Sequence, residues 1–414
     1  MVALMADPST EKPAKEPAGI AGRLPVTECV NALVAFLFAA SAPVAIILSA
    51  GIRGGLAEAD LASWIFAAFA VNGALTILMS VVYRQPLAFF WTIPGTVLVG
   101  AALPSLSFAE VIGAYLLTGV LLLVLGLTGA VRQIMDRLPM PIVMGMVAGV
   151  FVQFGLDWIH AFKSDLMLVA AMTVTFFVLT AVPRLQKWFP PMVAVLVVGV
   201  VILLLGGDST VGAGAGGIYD GPILAAPQFY MPQMSLAAAL ELVVPLAITV
   251  IAAQNAQGVV ILRAGGHNPP VNAITTVCGA TSIVTAFFGS VSSCLTGPSN
   301  AILISGGARE RQWLAAVVLG GLAILFGAFA PLVTTLLIST PTAFLSTLAG
   351  LALLRTLQGA FQTSFGPGFP FGGLIAFLVT LAGLPIFNIG APFWGLVFGV
   401  IASLLMERDS FTKV

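Results

Sequence analysis

Residues 290–307 read SVSSCLTGPSNAILISGG, and the fold turns on how they are understood. The stretch lies inside a long uncharged run, yet it is too polar and too interrupted for a membrane-spanning helix. A Gly297-Pro298 pair marks its middle, with Thr296, Ser299 and Asn300 packed around it. Residues 89–104, FFWTIPGTVLVGAALP, share this character with the pair reversed as Pro94-Gly95. Irregular backbone at membrane depth survives only where it is buried in protein or lines a polar cavity. Two such stretches in matching positions of two halves point to the substrate site of a transporter.

Composition supports a membrane setting. Of the 414 residues, 59% are hydrophobic and 8% charged, with a mean hydropathy of +1.09. A soluble domain carries about 25% charged residues, so the chain reads as a polytopic protein whose surroundings are the lipid bilayer. Sixteen basic and sixteen acidic residues cancel, which argues against nucleic acid as a partner. Cys29, Cys278 and Cys294 sit among apolar neighbours without metal-ligand spacing, so neither metal nor cofactor is expected. There is no HExxH, P-loop or nucleophile elbow to suggest an enzyme.

A spanning helix needs about 20 mostly apolar residues. Read between charges, spans cover 29–52, 61–83, 111–131, 138–156, 166–183 and 188–206, with the first broken stretch counted third. Residues 207–235 form a Gly- and Pro-rich extracytoplasmic linker. Spans resume at 240–262 and 271–288, the second broken stretch is tenth, and two more lie in each of 312–354 and 356–406. The fold class is therefore an all-α polytopic membrane protein of about fourteen segments, segments three and ten being half-helices beside short extended stretches. The first repeat is 26–206 and the second 236–406. Residues 1–25, rich in Lys, Glu and Pro, read as a disordered cytoplasmic tail, and 407–414 as a second cytoplasmic tail.

The basic residues give an independent check. With the N-terminus in the cytoplasm, Lys12, Lys15, Arg23, Arg84, Arg132, Arg137, Arg184, Lys187, Arg263, Arg309, Arg311, Arg355, Arg408 and Lys413 all fall inside. Only Arg53 and Lys163 fall outside, the asymmetry that the positive-inside rule demands. Arg355 depends on where segment twelve ends.

The two halves also match. Pro43 and Pro245, Pro94-Gly95 and Gly297-Pro298, Gly119 and Gly320, Pro139 and Pro341, and Pro191 and Pro392 are each 201 to 203 residues apart. Seven crossings per half is odd, so the repeats are inverted relative to one another, the plan of a secondary transporter.

Half-helices starting near Pro94 and Pro298 would present free backbone N–H groups and about half a positive charge each. Such ends form an anion site without a cationic side chain. Thr92, Thr96, Thr296, Ser299 and Asn300 can add donors, Gly95 and Gly297 close backbone approach, and Trp91 and Ile93 a wall for a ring. Gln254, Asn255 and Gln257 are amides in an otherwise apolar segment, costly to bury unpaired. Gln254 and Gln257 share a helix face, and Asn255 points away from it. The plain alternative for all of these is packing and interhelical hydrogen bonding. No carboxylate falls at mid-membrane. Glu28 and Glu241, at span ends, are the weak candidates for carrying a proton, with an interfacial role as the alternative.

The run AAQNAQGVVILRAGGHNPPVN (252–272), then FFGS (287–290) and LTGPSNAILISGG (295–307), resembles the bacterial benzoate membrane transport family, BenE. The resemblance extends over nearly the whole chain after the tail. It implies a distant relative of the nucleobase and sulfate transporter fold, with a core domain (26–131 and 236–330) and a gate domain (137–206 and 335–406). It further implies uptake of benzoate or a similar aromatic monocarboxylate with a proton across the bacterial inner membrane, and a homodimer by analogy of fold. The nucleobase branch keeps carboxylates in segments eight and ten. Here the matching positions are Ala253 and Pro298, which suits an anionic substrate and removes the relatives' proton site. The competing functions are transport of another anion or a nucleobase-like ring, and a passive anion uniporter or channel.

Overall fold

The computed structural model describes residues 26–131, 139–182, 191–205, 222–338, 340–384, 386 and 391–411. The tail at 1–25, the first part of the linker, and Arg132, Arg137, Arg184, Lys187 and Lys413 lie outside the described residues.

The chain begins with α1 (Thr27–Arg53) and α2 (Glu58–Tyr83). Strand β1 (Phe89–Trp91) follows and leads into the half-helix α3 (Ile93–Ala102). Next come α4 (Phe108–Thr128), α5 (Met140–Ala161), α6 (Leu166–Ala181) and α7 (Pro191–Leu205). The second half repeats the order with α8 (Leu236–Ala264), α9 (Val271–Ala286), strand β2 (Ser293–Leu295) and half-helix α10 (Gly297–Leu303). It continues with α11 (Arg309–Ala328), a short α12 (Ala330–Ile338), α13 (Thr342–Ser364), α14 (Pro370–Ala382) and α15 (Ala391–Met406). Among the described residues seven helices are long and apolar enough to cross a membrane, accompanied by six shorter apolar ones.

Two departures from the expected spans matter. Segment twelve was expected to stop by Leu354, but α13 runs on through Arg355 to Ser364. A charge does not end a helix whose backbone bonds remain intact, provided the side chain finds a cavity. The small helix α12 was not anticipated either, since its sequence merges with the apolar run before it.

Helices pack in two groups. In one, α4 lies against α9, α11 against α2 and α1, and α10 against α1 and α8. In the other, α5 lies against α13 and α14, α15 against α14, and α6 against α7. In hydrocarbon no hydrophobic force pulls helices together, so close approach depends on small residues. Gly73 and Gly320 show why: a Cβ on Gly73 would stand 2.7 Å from the Gly320 carbonyl, and one on Gly320 2.6 Å from the Gly73 carbonyl. The equivalent crossing of the first repeat's α4 with α9 uses Gly119 and Gly279. Each repeat's fourth helix thus rests on the second helix of the other repeat.

The described end of the linker, Pro222 to Ser235, crosses one face of the first group. Its Ala225 N–H donates to the Ala328 carbonyl (2.8 Å), Tyr230 N–H to Phe287 (2.8 Å) and Gln233 N–H to Ala109 (2.9 Å). The Tyr230 hydroxyl donates to Asp60, and Phe229 stacks on Phe287 with 5.2 Å between ring centres. The segment read from sequence as a polar interruption is a fastened strap.

Candidate functional site

The two broken stretches meet. β1 and β2 pair antiparallel, Phe89 with Leu295, Phe90 with Cys294 and Trp91 with Ser293. A two-stranded ribbon exposes two unpaired edges, which hydrocarbon cannot satisfy. Neighbouring helices supply the partners. On α2, the Thr76 hydroxyl accepts from Phe89 N–H (2.9 Å) and donates to its carbonyl (3.1 Å), while Ser80 accepts from Leu87 N–H (3.1 Å). On α9, Ser282 accepts from Ser293 N–H (2.9 Å). Asn255 Oδ1 accepts from Leu295 N–H (2.8 Å), and Asn300 Oδ1 from Ala88 N–H (3.0 Å). Sequence reasoning missed Thr76, Ser80 and Ser282; a pair of hydroxyls four residues apart on one face of α2 was the available signal.

A cavity of about 650 Å³ opens beside the ribbon, between the two helix groups. One side carries Trp91, Ile93, Pro94, Gln254, Gln257, Thr296, Pro298 and Ser299 together with Phe38 and Pro43 of α1. The other side carries Met144 and Val147 of α5 and Arg355, Thr356, Gly359 and Thr363 of α13. It lies toward the face where α5 begins and where α8 and α13 end. Pro43 shapes its wall by lacking the N–H that would have bonded one turn back, and α1 breaks at Ser41.

Trp91 is held by Phe69, whose ring centre is 5.1 Å away, and Phe69 in turn packs on Phe326 at 4.4 Å. Its indole N–H has no hydrogen-bond partner among the described residues, although the side chain is 2% exposed. A buried donor without a partner at a cavity wall is a polar handle for a ligand.

The two glutamines behave as their spacing required. Gln254 and Gln257 both line the cavity, while Asn255 turns away to the ribbon. A π-helical segment, Thr249–Asn255, carries the first of them, a local widening that recurs at functional positions. Gln257 lies directly over Gly297: a Cβ there would stand 2.5 Å from its Cδ and Oε1. Only glycine lets the amide settle across the start of α10.

Six of the expected site residues do not line the cavity, and each has a structural reason. Thr92 caps α3, its hydroxyl accepting from Gly95 N–H (3.2 Å) and bonding Thr249 (3.1 Å). Thr96 donates back to the Thr92 carbonyl (3.1 Å). Gly95 packs against Leu246 and Thr92, and Gly297 lies under Gln257. Asn255 and Asn300 are spent on the ribbon. Asn300 is fully buried, and its amide also donates to the carbonyls of Ala88 (3.2 Å) and Thr296 (2.6 Å).

The expectation of a free half-helix end is therefore corrected at α3. At α3, Pro94 has no N–H, Gly95 is capped by Thr92, and Thr96 N–H already bonds the Thr92 carbonyl (2.9 Å). At α10, Thr296 makes no side-chain cap, but the helix has only 7 residues. The ribbon end offers less positive potential than two open ends would.

The two carboxylate candidates are both buried in protein. Glu28 is 5% exposed and pairs with Arg311 at 3.6 Å. Glu241 is 3% exposed within the π-helical segment Ala239–Val243, where α8 packs on α3, α4 and α15. Glu241 thus faces protein rather than water, in the first two turns of α8. Arg355, counted among the loop cations on sequence, lines the cavity instead.

Comparison with known proteins agrees with this architecture. The model of the family described as "Benzoate membrane transport protein" matches residues 23–405. The chain is 29% identical over 397 residues to inner membrane protein YdcO of Escherichia coli, covering 94% of this chain and 99% of the other. It is 26% identical over 391 residues to the benzoate membrane transport protein of Acinetobacter baylyi, covering 92% and 95%. Among solved structures, the transmembrane domain of the cyanobacterial bicarbonate transporter BicA superposes with a TM-score of 0.56 at 16% identity, covering 90% of this chain and 97% of that one. SLC26A9 superposes with a TM-score of 0.61 at 14% identity over 91% of this chain, which spans 64% of the SLC26A9 chain. Both neighbours have the fold in common with this protein. With the family model matching 23–405 and the inverted-repeat fold in place, the chain belongs to the BenE family of membrane transporters.

Proposed function

We propose that this protein imports benzoate or a similar aromatic monocarboxylate across the bacterial cytoplasmic membrane, together with a proton, by alternating access. The observation that carries the reading is the cavity described above. It joins an aromatic wall at Trp91 with amide and hydroxyl donors at Gln254, Gln257, Thr296 and Ser299, and among the described residues no acidic side chain lines it. Its volume of about 650 Å³ falls in the ordinary range for small-ligand pockets.

In this reading the first helix group is the core domain (26–131 and 236–330) and the second the gate domain (137–206 and 335–406). The ribbon and α3 and α10 travel with the core. The ring rests on Trp91 and Ile93, and the carboxylate faces the amides. Both termini lie in the cytoplasm, so the cavity opens inward. Glu241, buried where α8 meets α3, α4 and α15, is the group we assign to the proton, with Glu28 the second choice. A homodimer is the assembly proposed by analogy of fold.

The test is uptake of labelled benzoate into proteoliposomes under an imposed proton gradient. Inward flux that rises with an inward proton gradient supports the reading, and flux indifferent to it marks a uniporter. Competition by aromatic acids, uracil and sulfate decides the substrate class. A conductance far above transporter turnover would identify a channel.

A further inference from the structure

Arg355 stands in an unusual place for a cation. It is the fourteenth residue of the 23-residue α13, with nine residues still to follow it in the helix. At 1.5 Å per residue this puts it about 13 Å short of the helix end. Ionisable side chains inside membrane helices face cavities or partners and mark substrate pathways. Arg355 has the cavity: it is exposed there, opposite Gln254, Gln257 and Ser299.

Its protein contacts leave most of its hydrogen-bonding capacity unused. Nη1 donates to Gln358 Oε1 at 3.1 Å, one turn further along the same helix. Among the described residues no carboxylate forms an ion pair with it, and Arg355 is the only ionisable side chain lining the cavity. A guanidinium presents five donors in a planar fork that matches a carboxylate. The ribbon end, with α3 capped by Thr92 and α10 only 7 residues long, does not by itself supply a formal charge.

We propose that Arg355 binds the substrate's carboxylate and is the residue that selects a monoanion over a neutral ring. The inference rests on the reading of this cavity as the substrate site, and it deepens that reading by naming the charge that defines the substrate class. Because α13 packs on α5 and Gln257 on α10, an anion held by both spans the two helix groups. Benzoate in the cavity therefore draws the gate helix toward the ribbon, whereas a neutral ring contacts only the ribbon side.

The experiment measures binding of benzoate and of its neutral isostere benzamide to the purified full chain in nanodiscs. Wild type is compared with Arg355→Gln and Arg355→Lys, and thermal melting reports the fold. Wild type is expected to prefer benzoate. Arg355→Gln is expected to weaken benzoate by about 30-fold or more, the scale of truncating one partner of a close charge pair, with benzamide changed less than about threefold. Arg355→Lys keeps the charge but not the fork, and is expected to weaken benzoate by about three- to tenfold. Wild-type benzoate affinity in a folded Arg355→Gln protein overturns the inference while leaving the cavity as the site. If Arg355→Gln does not fold, unchanged affinity in Arg355→Lys overturns the forked contact. Wild type that binds neither compound overturns the substrate reading and the inference with it.

Discussion

Arg53 Nη1 stands 2.8 Å from Asp157 Oδ2, joining the last residue of α1 to the end of α5 on the face opposite the cavity. The same guanidinium lies 4.6 Å above the Phe154 ring, and Gln153 donates to the other Asp157 oxygen at 2.9 Å. The two helix groups are latched where the cavity is closed and parted where it is open. Asp157→Asn should loosen this latch. The side chains are 40% and 26% exposed, so the pair is worth at most about 1 kcal/mol, or roughly a fivefold shift in population. Thiol labelling of a cysteine introduced beside Phe154 should rise by up to that factor; labelling equal to the parent would deny the pair any role in closure.

Gly297→Ala should act on the ligand at one remove. Its methyl would displace the Gln257 amide, since the available separation is 2.5 Å. Gln257→Ala and Gly297→Ala should therefore weaken benzoate by similar amounts, about tenfold for one lost buried hydrogen bond to a charged group. The double variant should be little worse than either alone, and independent, additive losses would refute the coupling.

Asn300→Ala should cost stability. It removes one acceptor from Ala88 N–H and two donors to carbonyls, all buried. The Ala88 and Thr296 carbonyls keep the backbone N–H groups of Thr296 and Asn300, but the buried Ala88 N–H loses its acceptor, which costs about 1–3 kcal/mol, visible as a lower melting temperature in detergent. A variant that melts like the parent but binds poorly would move Asn300 back into the substrate site.

His267 predicts a pH response. In the loop after α8, its Nε2 lies 2.7 Å from Gln312 Oε1, and Gln312 donates to the carbonyls of Ile304 and Gly306 just past α10. Burial lowers its pKa, nearby Arg309 lowers it further, and Gln312 and Glu310 oppose this. A base with a depressed folded pKa binds fewer protons folded than unfolded below its ordinary value of 6.5. Stability is thus unaffected well above that value and falls as pH drops through and below it. Melting temperature against pH should show this decline, and His267→Gln should flatten it.

Glu241→Gln should separate transport from its driving force. Exchange of labelled for unlabelled benzoate, which needs no net proton movement, should continue. Stimulation by an inward proton gradient should be lost. Persistence of that stimulation would transfer the assignment to Glu28.

The fold was legible because its signals are local. Runs of apolar residues between charges, two Pro-Gly breaks and a constant spacing between halves locate helices and ribbon without any tertiary information. Gln254 and Gln257 were legible for the same reason, being fixed by helical geometry. What sequence hid was the competition for hydrogen bonds. Asn300, Asn255 and Thr92 have the chemistry of ligand contacts, but unpaired backbone beside the ribbon claims them, and only the pairing of β1 with β2 shows how much backbone needs satisfying. Arg355 was misplaced because a charge in an apolar run reads as a boundary until a cavity is seen beside it.

The interlocking of the repeats, α4 on α9, α11 on α2 and β1 on β2, has a consequence for how the protein could be made. Severed between Leu205 and Pro222, each fragment would carry a three-residue strand with no complement and glycine-lined helix faces fitting only the other fragment. Neither half can be a small transporter by itself. Synthesised separately in one cell, the two halves are expected to be stable only together, because each carries the surfaces that the other's helices and strand pack against.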